Sequence, residues 1–160
     1  MAMRVRSYVK AALFLPLILA GMPGSGPAFA QGPEKPIRVV EGAEKGVRME
    51  ILNLKRSEGG MLTLRIAYVN DSGGQVKNSV LPGAGNVADF ALLDYANRRK
   101  YKVVYDTGGS CLCTSLNPYG ATDPGRFVFW AKFAAPPESV NHVSLLMPGA
   151  EPVDDVPLSR

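Results

Sequence analysis

Cys111 and Cys113 are the two cysteines of the chain, and they stand two apart in Gly108-Gly109-Ser110-Cys111-Leu112-Cys113-Thr114-Ser115. In an oxidising compartment, thiols this close invite a disulfide. On an extended strand their side chains share one direction with α-carbons roughly 6.5–7 Å apart, at the edge of bridging geometry. A turned backbone brings them within reach, and Gly108-Gly109-Ser110 permits that turn. Such a pair can pin a loop, exchange electrons as a reducible bond, hold a soft metal or remain as two free thiols. A ring closed over so few residues removes little unfolded-state entropy, so a bond here shapes the loop more than it holds the fold.

A thiolate metal centre needs further ligands, and His142 is the single histidine. On a strand over Val140 to Met147, Met147 shares the face of Val143 and Leu145 while His142 points the other way. A copper site of Cys111, Cys113, His142 and a methionine therefore requires an unusual fold, and no metal or other cofactor is expected. Hydrolytic chemistry is as poorly supplied. One histidine leaves few bases to activate a nucleophile, and neither a Gly-x-Ser-x-Gly elbow nor a His-Glu-x-x-His helix is present. Asp154-Asp155 is a carboxylate pair, but neighbouring strand residues face opposite ways and the segment reads as an exposed tail. No catalytic residue is assigned, and an enzyme is not expected.

Aromatic side chains are the remaining lead. Phe127, Phe129, Trp130 and Phe133 lie in Phe127-Val128-Phe129-Trp130-Ala131-Lys132-Phe133, and one core cannot take all four from a single strand face. They belong to the core, or part of the stripe is exposed as a contact surface for a protein or glycan.

The elements that position these groups read as strands. Leu62, Leu64, Ile66 and Tyr68 alternate with Thr63 and Arg65, and Val47, Met49 and Ile51 alternate with Arg48 and Glu50. Tyr101, Val103 and Tyr105 repeat the pattern, each expected to face inward. Further strands are expected over Asp89 to Asp94, Phe127 to Phe133 and Val140 to Met147, with weaker ones from Ile37 and over Val153 to Val156. Ser57-Glu58-Gly59-Gly60 has hairpin chemistry, Asn70 to Gly74 and Asp123-Pro124-Gly125 are turns, and Pro136-Pro137 stops the aromatic strand. The stretch Gly73 to Val87 reads as a long polar link crossing between sheets. Outside the first thirty residues no dozen residues follow a 3.6 period, which disfavours a helical bundle or a βαβ sheet. The chain is expected to be all-β, an antiparallel sandwich of about seven strands.

Length and charge bound the rest. One hundred and sixty residues with 20% charged fit one modest domain, and the formal net charge is +4. Arg4, Arg6 and Lys10 supply three of the 18 basic residues, which leaves 15 against 14 acidic ones after residue 30. A nucleic-acid partner is therefore not expected from net charge. The same first thirty residues have the three parts of an export signal: a basic start, the apolar run Ala11 to Ala20, and a helix-breaking stretch ending Ala28-Phe29-Ala30. Cleavage is expected after Ala30, through the small side chains of Ala28 and Ala30. The apolar run is shorter than the roughly 20 residues that cross a bilayer, so no transmembrane anchor is expected in the mature chain. No lipid attachment is expected either, since no cysteine lies near the cleavage point. Residues 31–36 read as a flexible Pro-rich lead-in and 37–160 as the sandwich domain.

The segments Asp89 to Asp94, Tyr101 to Asp106, Cys111 to Ser115, Pro124-Gly125, Trp130 to Pro137 and Asp154 to Leu158 resemble a group of bacterial exported domains of unknown function. The resemblance spans about Val47 to Leu158 and is most specific from Cys111 to Pro137. It implies an immunoglobulin-like sandwich similar in fold to the mycobacterial secreted immunogenic proteins. Some members of the group precede a peptidoglycan-binding OmpA-like domain; here the sequence stops at Arg160, and that tandem arrangement is not expected. The resemblance carries no catalytic residues. The expected function is that of a periplasmic or secreted, non-catalytic domain that contacts a protein or cell-envelope partner. The alternative is a redox or copper-handling protein built on Cys111 and Cys113.

Overall fold

The computed structural model describes residues 34–74, 87–114 and 125–160. The expected leader with Ala28 and Ala30, the start of the lead-in, residues 75–86 of the long link, and most of the Asp123-Pro124-Gly125 turn lie outside the described residues. Among the described residues eight strands follow one another: β1 (Arg38–Glu41), β2 (Val47–Ser57), β3 (Met61–Asn70), β4 (Ala91–Asp94), β5 (Arg99–Lys102), β6 (Arg126–Ala134), β7 (His142–Leu146) and β8 (Val153–Pro157). They form two antiparallel sheets of four, ordered β1-β2-β3-β6 and β5-β4-β7-β8. The chain is all-β, as its period-2 patterning requires.

The β2–β3 hairpin shows how sequence becomes sheet. Gly59 and Gly60 both take positive φ, 74° and 68°, which a tight hairpin needs and a side chain resists. That turn sets the register Leu54↔Leu64, and a shift between Ile51 and Asn53 then gives Ile51↔Ile66, which lets Ile51 and Leu54, three apart, face the same core. Met49, Ile51, Leu54, Leu62, Leu64 and Ile66 are fully buried there. From the facing sheet Leu92, Val143, Leu145, Val153 and Val156 complete the same core. Phe90, beside β4, stacks on Phe129 of β6 with ring centroids 4.8 Å apart, which joins the sheets by an aromatic contact worth about 1 kcal/mol beyond its buried area.

Both edges of the first sheet are completed by segments arriving from the second. After β5 the chain leaves its sheet and Val103 bridges to Phe133 of β6. After β8, Ser159 runs beside β2, donating its N–H to Leu54 and accepting from the Arg56 N–H. Arg56 closes one end of the sandwich. Its guanidinium donates to the carbonyls of Pro136, Pro137 and Val140 at 2.8, 2.9 and 3.0 Å, holding the connection that carries the chain from β6 to β7.

One expectation about strand faces needs correction. Tyr101 to Tyr105 is not one strand with three inward residues. It stops at Lys102, and the sheet switch at Val103 leaves Tyr105 45% exposed. Glu34 accepts from Asn53 and pairs with Arg65 across the outer face of β2 and β3.

Candidate functional site

The cysteine pair lies on the edge of the first sheet beyond β6. Val104 donates its N–H to the Lys132 carbonyl at 2.9 Å, and the chain then turns through residues 105–110. Asp106 builds the turn: its carboxylate accepts from the N–H groups of Gly108 and Ser110 at 2.9 and 2.8 Å. Gly109, at φ 82°, supplies the left-handed residue that reverses the direction. On the return, Leu112 donates to Val104 and accepts from the Lys132 N–H, while Cys113 lies opposite Ala131.

The sulfurs of Cys111 and Cys113 are in close contact, with α-carbons 5.3 Å apart, closer than a flat strand allows and within bridging range. The Gly-Gly-Ser turn expected to permit this is the one observed. Cys113 is only 9% exposed and belongs to the core, with Cys111 partly buried against it. The sulfurs therefore face inward, which favours a structural bond over exchange chemistry that requires an approaching thiolate to reach a sulfur.

The aromatic stripe divides by strand parity. Phe129 and Phe133 are fully buried, and Phe127 is partly buried against the same core. They turn toward the second sheet, so of the two readings open for the stripe these three residues take the core one. Trp130 points the other way and is 37% exposed on the outer face of β6. Its cross-strand neighbour is Arg65 of β3. On the opposite side Thr114, one residue past Cys113, hydrogen-bonds the Trp130 backbone. One exposed indole thus sits between an arginine and the edge segment that carries the two cysteines.

His142 opens β7 on the second sheet, exposed, while Met147 is buried with Val143 and Leu145. That is the face parity read from the sequence, and it keeps the imidazole away from the inward-facing sulfurs. His142 instead borders an open depression of about 750 Å³ with Tyr95, Asn97, Ser144, Asp154 and Asp155. The hydroxyl of Ser144 donates directly to Asp154 at 2.5 Å, with no imidazole between them to relay a proton. Among the described residues, no three His, Cys, Asp or Glu side chains converge as a metal-ligand set.

The carboxylate pair is placed differently from the expectation that neighbours face opposite ways. β8 is irregular where it passes β7: Val143 opposes Val156, but Leu145 opposes Val153. Two aspartates therefore match the single Ser144, and Asp155 takes a positive φ of 57°. This bulge leaves both carboxylates outside while Val153 and Val156 remain in the core. The sequence carried a weak signal of it, since two apolar residues three apart cannot share one face of a regular strand.

No family model, characterised protein or solved structure matches the chain.

Proposed function

We propose that the protein is an exported domain, periplasmic or secreted, with an immunoglobulin-like sandwich that acts by contacting a protein or cell-envelope surface rather than by catalysis. The strand order supports the immunoglobulin-like reading. β2, β3 and β6 are neighbours on one side, β5, β4, β7 and β8 on the other, and the chain crosses between sheets after β3, β5 and β6. Repeated crossing of this kind characterises Greek-key sandwiches. The basic, apolar and small-residue blocks of residues 1–30 support export.

The single observation that carries the contact reading is Trp130. A large aromatic held partly in solvent at mid-strand, between a guanidinium and a braced edge, is the kind of rigid anchor that dominates binding interfaces. Immobilised protein, tested against envelope extract and culture fluid, is expected to retain a partner that the Trp130→Ala variant loses by at least about tenfold, the weight of a typical hot-spot residue. Capture that is unchanged by Trp130→Ala would remove the support for this surface. The redox or copper reading is tested on the same preparation by thiol titration and metal analysis. Stoichiometric copper released by a Cys111→Ala/Cys113→Ala change would overturn the contact reading.

A further inference from the structure

The net charge after residue 30 conceals a separation of charge. Arg98, Arg99, Lys100 and Lys102 stand within five positions, and without them residues 31–160 hold 11 basic and 14 acidic side chains. The β4–β5 hairpin is thus the positive pole of an otherwise acidic domain. All four cations are exposed. Among the described residues the ion pairs engage Arg38, Arg48, Arg65 and Arg126, and none engages the hairpin.

The hairpin turn is braced by a buried carboxylate. Asp94 is almost wholly buried, and its carboxylate accepts from both the backbone N–H and the side-chain amide of Asn97, at 3.0 and 2.7 Å. Arg98 follows at φ 53°, a left-handed position where glycine would cost less. At the tip Tyr95 is 68% exposed, the most exposed large hydrophobic residue in the described parts of the chain. β5 is the outermost strand of its sheet and pairs only with β4. Lys100 and Lys102 lie opposite Leu93 and Ala91, and Arg99 opposite Asp94, so the cations project to both sides of the edge. Protection of an edge strand from unwanted pairing needs one or two such charges. It requires neither an arginine in a left-handed conformation nor a tyrosine at the tip.

We propose that this hairpin docks edge-on against an anionic phospholipid surface, a contact separate from the Trp130 surface. A plane approached along the strand edge meets the cations of both sheet faces together, whereas a groove following a polymer backbone would need them on one face. Tyr95 has the amphipathic character of side chains that settle at the headgroup level. The acidic remainder of the domain is repelled by the same surface, which orients the molecule with β5 toward the lipid.

The test is flotation of the full chain with vesicles of phosphatidylcholine alone or with added phosphatidylglycerol. The apolar segment of residues 11–20 is common to every variant, so differences report the hairpin. Wild type is expected to prefer the phosphatidylglycerol vesicles and to be released by salt. The Arg99→Gln/Lys100→Gln/Lys102→Gln variant is expected to bind them on the order of 100-fold more weakly, from about a fivefold factor per lost cation. Lys100→Arg/Lys102→Arg should bind as wild type, and Tyr95→Ala several-fold more weakly with unchanged salt sensitivity. Equal binding to both vesicle types, or a glutamine variant that folds and binds like wild type, overturns the proposal. Binding of the hairpin to polyglutamate without preference for charged vesicles also overturns it, and assigns the surface to an acidic polypeptide.

Discussion

Thr114 and Trp130 hold each other through two hydrogen bonds of 2.8 Å. The Thr114 N–H donates to the Trp130 carbonyl, and the Trp130 N–H donates to the Thr114 hydroxyl. The second bond puts a side-chain oxygen where a ladder carbonyl would otherwise accept. Thr114→Val keeps the shape and removes the acceptor. It is expected to cost about 1 kcal/mol in urea unfolding, with Thr114→Ser close to wild type. Partner capture through Trp130 should weaken with it, since the indole loses its brace.

A disulfide between Cys111 and Cys113 should add little to stability. The ring spans Cys111 to Cys113, and chain-entropy arguments assign about 1–2 kcal/mol to so short a closure. Reduced wild type and Cys111→Ala/Cys113→Ala are expected to unfold at similar, slightly lower denaturant concentrations. A loss above about 4 kcal/mol would mean that the bond holds the sandwich itself rather than its edge.

Arg56→Ala should be among the more damaging changes outside the apolar core. It leaves three carbonyls of the β6–β7 connection without their charged donor, for an expected loss of about 2–4 kcal/mol. Arg56→Lys, which cannot fork, should recover only part of it. Hydrogen exchange of the amides of residues 138–141 is the local readout, and fast exchange confined to that segment is expected.

Tyr68 faces the core, and its buried hydroxyl has no partner among the described residues. Burial raises its phenol well above the ordinary 10.0 by disfavouring the anion. The folded chain therefore retains a proton that the unfolded chain loses once the pH passes about 10. Stability is unaffected by this group below that pH and falls as pH rises toward the raised value. Tyr68→Phe is expected to flatten the alkaline decline and to be neutral or stabilising by up to about 1 kcal/mol at neutral pH. Denaturant midpoints of both forms from pH 7 upward check the sign.

Much of the fold was legible because period and turn chemistry are local. Leu62, Leu64, Ile66 and Tyr68 alternate in the sequence as they do across the sheet, and Gly59-Gly60 can do little but reverse a chain. The opposed faces of His142 and Met147 followed from spacing alone. Three features did not, because each depends on a distant partner. Which side of β6 meets the second sheet decided that Phe129 and Phe133 are core and Trp130 is surface. The match of β8 to Ser144 placed Asp154 and Asp155 on one face. The departure of the chain from its sheet after Lys102 left a cationic strand at an edge, where a near-neutral total had concealed it. Side-chain period is set by each residue's own backbone, but neighbours across a sheet are chosen by the whole chain.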